Sequence, residues 1–132
     1  AYEWSGNAIY AGDPVSIIRS AGYVTVAATT SGSLCGVAAQ GSGTSLASTT
    51  GTILVYDHPM TVFKVQVAGN YAQAQRGTRA DITGTTSQFQ IAITTTETVV
   101  TILDMDPNDS LGSNAMVYVR ITRHQFNGDQ TA

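Results

Sequence analysis

Residues 52–67, TILVYDHPMTVFKVQV, constrain the fold more than any other stretch. Two apolar runs flank Asp57-His58-Pro59: Ile53, Leu54, Val55 and Tyr56 before it, and Val62, Phe63, Val65 and Val67 after it, interleaved with Lys64 and Gln66. Proline lacks the amide proton a sheet ladder needs and pushes His58 toward an extended conformation, so the pattern reads strand, break, strand. Period-2 alternation puts Phe63, Val65 and Val67 on one face of the second strand and Val62, Lys64 and Gln66 on the other. One face belongs to a core. The other meets water or a neighbour.

The rest of the chain follows the same rhythm. The turn signal Gly12-Asp13-Pro14 precedes a hairpin made of 15–19 and 23–28 around Ser20-Ala21-Gly22, and 34–39 is a short run of small apolar residues. Residues 40–51, QGSGTSLASTTG, read as a flexible or surface loop. The stretch 70–77 is the one plausible helical turn, ending at Gly77. Strands then return at 79–83, at 88–94 with Phe89, Ile91 and Ile93 on one face, at 98–104, and at 115–122 with Val117, Val119 and Ile121 facing inward. About eight or nine short strands without a βαβ rhythm predict an all-β fold: a single antiparallel β-barrel or β-tulip-like sandwich with at most short helical turns. Residues 1–11 read as an N-terminal arm and 12–132 as the β domain; the alternative for the arm is a first strand that closes the domain's own core.

At 132 residues the chain has the size of one domain and buries roughly two thirds of its unfolded surface without staples. Its single Cys35, among small apolar neighbours, forms no intrachain disulfide and is expected to be buried and reduced, which fits synthesis in a reducing cytosol. Only 11% of residues are charged against 42% hydrophobic, so much of the surface is Thr, Ser, Gly, Asn and Gln. A net charge of −3 leaves no footprint for nucleic acid. No apolar run approaches a membrane span and no signal-peptide pattern opens the chain, so a soluble, unexported protein is expected.

No catalytic constellation emerges. Gly41-Ser42-Gly43 lacks the Lys-Ser/Thr and the following helix of a phosphate loop. Asp57 and His58 are adjacent, a poor arrangement for an orienting carboxylate, and no G-x-S-x-G accompanies them; His58 reads as a turn residue bonded locally and His124 as a strand-end histidine packed or bonded to backbone. Asp104, Asp106 and Asn108 begin like a calcium loop, but Asp109 stands where that loop needs glycine and Ala115 where it needs its bidentate glutamate, so an acidic turn between strands is the reading. Asn108-Asp109-Ser110 matches a glycosylation sequon that an unexported chain never presents to the enzyme. Two histidines and one cysteine far apart do not point to zinc. The expectation is no enzyme, no catalytic residues, no cofactor and no metal. Aromatic anchors are enriched at interfaces, and the mixture of Tyr2, Trp4 and Tyr10 with Glu3 and small residues makes Tyr2, Glu3, Trp4 and Tyr10 the candidate partner- or subunit-contacting residues once a partner is in view.

Three passages bring it into view. GDPVSIIRSAGYVTVAATTSGSLCGVAAQ, ILVYDHPMTVFKVQV and DPNDSLGSNAMVYVRITRHQF, in that order, resemble the small capsid decoration, or cement, proteins of tailed bacteriophages. They cover more than half of the chain and carry strands rather than chemistry. The resemblance implies a structural virion protein of β-barrel or β-tulip type, made in the host cytoplasm and bound to the outer capsid surface. It would stabilise the assembled shell by clamping neighbouring capsomers. It implies the major capsid protein as partner and a homo-oligomer, with a trimer favoured, and neither nucleic acid nor membrane. The alternative from another class is a receptor- or glycan-binding surface module, for which Trp4 and the tyrosines would be the stacking platform.

Overall fold

The computed structural model describes residues 2–6, 8–17, 22–28, 31–41, 46–84, 88–93, 98–126 and 128–129; at 2–6, 46–51 and 128–129 it describes the backbone alone. The fold is all-β, built of several mainly antiparallel sheets, and its helical content among the described residues is a single 3-10 turn at Gln73–Gln75. That turn lies inside the stretch read as helical and is held by Gln75, whose side-chain oxygen accepts from the Ala72 amide at 2.8 Å.

The N-terminal part contributes β1 (Tyr2–Gly6), β2 (Pro14–Ile17), β3 (Val24–Val26), β4 (Gly36–Ala38), β5 (Leu46–Ile53) and β6 (Val55–Tyr56). They form one six-stranded sheet in the order β5-β1-β3-β2-β4-β6. β2 and β3 make the predicted hairpin, with Val15 opposite Val26 and Ile17 opposite Val24. Pro14 opens β2, a position where its missing amide proton costs little.

Within the stretch 1–11, the backbone of Tyr2–Gly6 lies between β5, antiparallel, and β3, parallel at Trp4 opposite Val24. One sequence expectation changes here. The stretch 40–51 is not loop throughout, because Leu46–Ile53 is strand. Its glycines and serines signal a loop, yet Thr49, Thr50 and Thr52 are β-branched and suit a sheet edge, and the long-range partner β1 decides between the two.

The run 53–56 is also divided. β5 and β6 occupy opposite edges of the six-stranded sheet and are separated in sequence by Leu54 alone. The sheet therefore curls until its edges meet at that residue, whose carbonyl accepts from the Ala39 amide at 2.8 Å. β4 lies close to β6, and a Cβ at Gly36 would overlap the Tyr56 carbonyl and come within 2.9 Å of Val55 Cγ1. Glycine is required there by space.

The C-terminal part contributes β7 (Val62–Gln66), β8 (Asn70–Tyr71), β9 (Arg79–Thr83), β10 (Gln90–Ala92), β11 (Val100–Met105), β12 (Gly112–Ser113), β13 (Met116–Ile121), β14 (Arg123–His124) and β15 (Gly128–Asp129). Five of these make a sheet in the order β10-β9-β11-β13-β7, and β12 with β8 and β14 with β15 form two small ribbons. The sheet's edges touch at a parallel bridge, Val67 to Ile91, beside which Gln90 Nε2 donates to Gln66 Oε1 at 2.7 Å.

Two buried clusters result. Val67, Ile82, Ile91, Val100, Ile102, Val117, Val119 and Ile121 are among fourteen buried residues of the larger one, with Phe63, Val65, Phe89 and Ile93 packed against it. This is the inward alternation read from the sequence. The other cluster, among the described side chains, holds Ile9, Val15, Val24, Cys35, Ala38 and Ile53. Cys35, the chain's single cysteine, is fully buried.

The two parts meet along a polar seam. Leu34 bridges His124, its amide donating to the Arg123 carbonyl and its carbonyl accepting from the Gln125 amide, both at 2.9 Å. The Gln125 side chain reciprocates with the Ile17 backbone, accepting at 2.8 Å and donating at 3.2 Å.

Candidate functional site

The hinge that separates the two apolar runs also builds the surface most suited to contact. His58 shapes it: its carbonyl accepts from the Thr61 amide and its Nδ1 from the Met60 amide, both at 3.1 Å. That local pairing turns the chain from β6 into β7. Both are edge strands, β6 of the six-stranded sheet and β7 of the five-stranded one. Edge strands present unpaired backbone groups, and contact surfaces often use them.

Leu54, Tyr56, Met60 and Val62, all from this stretch, are each at least half exposed. On one side of the β7 edge the Tyr56 ring stands 6.5 Å from that of Phe63, tilted by 56°. On the other, Val62 lies opposite Arg120, whose Nη1 donates to Met60 Sδ at 3.6 Å. The result is an apolar ridge around a sheet edge. Behind it a cavity of about 310 Å³ opens between the two sheets, lined by Pro14, Val37, Tyr56, Phe63, Val65 and Phe89 among others.

Polar groups near the ridge are largely committed to structure. Lys64 Nζ lies 2.8 Å from Asp106 Oδ2, and Asp106 Oδ1 accepts from the Asn108 amide at 3.0 Å. The lysine bond first and that amide second hold the Asp106 carboxyl below the usual carboxylate range, and the same pairing raises Lys64. Asp109 accepts from the Met116 and Ser110 amides at 2.7 and 2.8 Å, which lowers its pKa, and Asp104 accepts from the Met105 amide at 2.8 Å. The carboxylates of 104–109 thus brace the turn that leads from β11 toward β13. Among the described residues no group of three or more His, Cys, Asp or Glu is placed to hold a metal ion.

His124 is buried at the seam and its Nδ1 accepts from the Phe126 amide at 3.1 Å, which places the neutral ring's proton on Nε2. Burial lowers its pKa, while the nearby backbone of Asp57 and Cys35 works the other way. It is 5.6 Å from the Phe126 ring. Nothing about this environment presents an acid or base to a substrate.

Of the residues singled out from the sequence, Tyr10 is 46% exposed, on a turn in which its amide donates to Asp13 Oδ2 and its carbonyl accepts from the Asp13 amide, both at 3.0 Å. Its chain neighbours Ala11 and Gly12 line the same cavity as Tyr56 and Phe63. The side chains of Tyr2, Glu3 and Trp4 lie outside the described residues; their backbone runs inside the six-stranded sheet. Sequence reasoning placed Val62, with Lys64 and Gln66, on the face that meets water or a neighbour, and its exposure agrees. It missed Tyr56 and Met60 as surface residues. No protein family, curated protein or solved structure matches the chain.

Proposed function

We propose that this chain is a structural virion protein that binds the outer surface of an assembled phage capsid and stabilises it by clamping neighbouring capsomers. The observation behind a binding role is the exposed apolar ridge of Leu54, Tyr56, Met60 and Val62 on two adjacent sheet edges, in a chain with only 11% charged residues. Large apolar side chains grouped at an edge mark an interaction surface. The resemblance of the three passages to decoration proteins names the partner as the major capsid protein. It also supports reading the two curled sheets as a barrel- or tulip-like variant of that group's fold. A capsid lattice repeats one site many times, and self-association at a symmetry axis, with a trimer favoured, adds avidity without new chemistry.

The test is cosedimentation of the purified chain with expanded capsids of the phage that encodes it, against unexpanded procapsids and a glycan array. Saturable binding to expanded capsids alone is expected. Replacing Tyr56 and Val62 together by serine and threonine should weaken it at least about tenfold while lowering the melting temperature only slightly, since both side chains are more than half exposed. Sugar binding with no capsid binding would overturn the proposal in favour of a receptor- or glycan-binding module.

A further inference from the structure

Four of the six lysines and arginines, Lys64, Arg76, Arg79 and Arg120, belong to the five-stranded sheet or its margin. Two are neutralised within the chain, Lys64 by Asp106 at 2.8 Å and Arg76 by Asp104 at 3.6 Å. Arg79 and Arg120 form no ion pair among the described residues. Arg120 Nε is also buried without a hydrogen-bond acceptor, and its Nη1 has a thioether sulfur as partner.

Strand register aligns these two cations. Arg79 is opposite Thr101, Thr101 opposite Arg120, and Arg120 opposite Val62, so all four stand in one row on the face away from Ala80, Val100 and Ile121. Two strand spacings separate Arg79 from Arg120, about 10 Å between their backbones. Carboxylates two residues apart in an extended chain are about 7 Å apart, within reach of two guanidinium groups on flexible stems.

We infer that the row Arg79–Thr101–Arg120, with Val62 and Met60 at its end, is a docking site for an acidic, extended protein segment. Charge complementarity selects this occupant. An unpaired, partly desolvated guanidinium gains most from a carboxylate, which it binds through two parallel hydrogen bonds, and the apolar end of the row suits alternating apolar side chains. A second copy of the chain fits poorly: the same face would bring cations to cations, and Asp104, Asp106 and Asp109 already serve their own turn. Nucleic acid fits poorly too, because the two cations of this row, on a chain of net charge −3, release few counterions. The inference rests on the proposed function in one respect, the identity of the segment's owner as the capsid.

The experiment uses the full chain and fluorescence anisotropy with three probes: a short peptide alternating glutamate and valine, the same peptide with glutamine for glutamate, and an oligothymidylate. Binding of the glutamate peptide alone is expected, weakening as salt rises. Arg79→Gln and Arg120→Gln should each weaken it about tenfold, the loss of one charge-assisted pair. Because Arg120 is partly buried, its variant is checked by thermal unfolding; should it unfold, Arg79→Gln decides alone. Equal binding of both peptides, unchanged binding by Arg79→Gln, or preference for the oligonucleotide overturns the inference. Capsid cosedimentation separates the two ideas: capsid binding without peptide binding removes this inference only, and peptide binding without capsid binding removes the proposed function only.

Discussion

The two curled sheets reach order by different means. The inward rows of the five-stranded sheet, Val100 and Ile102 on β11 with Val117, Val119 and Ile121 on β13, come from neighbouring alternating strands. The six-stranded sheet draws its described cluster from short strands and the segments beside them, with Ile9 and Cys35 packing among Val15, Val24, Ala38 and Ile53. It relies more on close backbone approach, as at Gly36, and on hydrogen bonds to the other part through Leu34 and Gln125. The difference teaches that apolar alternation can specify one sheet nearly alone, whereas the other is specified together with its neighbour. The exposed ridge begins on the last strand of the second and ends on the first strand of the first.

The largest expected effect breaks this comparison at its centre. Ile102→Ala should cost about 4 kcal/mol, and Ile53→Ala, an identical deletion in the other cluster, about 2 kcal/mol, because Ile102 lies within a central strand while Ile53 ends an edge strand that can close in on the gap. Urea unfolding with amide exchange measures both. Ile102→Ala is expected to lower protection throughout the molecule, and Ile53→Ala to lower it mainly in the six-stranded sheet. Equal costs and equal spread would show that the two clusters act as one core.

A second variant sharpens the role of backbone proximity. Gly36→Ala should cost about 1–3 kcal/mol through overpacking against Tyr56 and Val55, with no change in apolar area to explain it. Its thermal midpoint, compared with that of Gly22→Ala, separates the causes: a Cβ at Gly22 meets nothing within 4 Å, but its φ of 80° disfavours a side chain. A Gly36→Ala midpoint equal to that of the unsubstituted chain would show that β4 can move away from β6 freely.

The same contrast explains what the sequence made legible. Alternation over 62–67, 79–83 and 115–122 leads directly to β7, β9 and β13, because inward residues on these strands share one continuous core. Leu46–Ile53 was hidden because its composition is that of a loop and its strand state depends on β1, more than forty residues away. The division of 53–56 at Leu54 was hidden for a related reason: an unbroken apolar run gives no sign that its two ends pair with opposite edges of one sheet. Among site features, the hinge at 57–59 was plain from Pro59, whereas the row Arg79–Thr101–Arg120 exists only through two strand registers that no local pattern encodes.

The smallest expected effects are two separate responses to acid, one in each setting. His124 sits at the seam, and burial lowers its pKa, so the unfolded chain takes up a proton near pH 6.5 before the folded one does. Its share of stability is complete above that value and declines as pH falls from there toward the lowered folded pKa. Asp106 belongs to the five-stranded part, and its carboxyl is lowered by Lys64 and the Asn108 amide. Its share is present above the ordinary value of 3.8 and disappears as pH falls through the lowered folded one. Melting temperature against pH should therefore show a decline from about pH 6.5 downward and a further one below about pH 4. His124→Gln should flatten the first and leave the second, and Asp106→Asn should leave the first and reduce the second, to which Asp109 also contributes. His58 and the backbone of Asp57 and Cys35 face His124, so His58→Gln is the necessary companion: it should shift the first decline slightly, by removing a neighbouring charge, without abolishing it. If His58→Gln abolishes that decline and His124→Gln does not, the seam is insensitive to protonation and the acid response belongs to the exposed hinge.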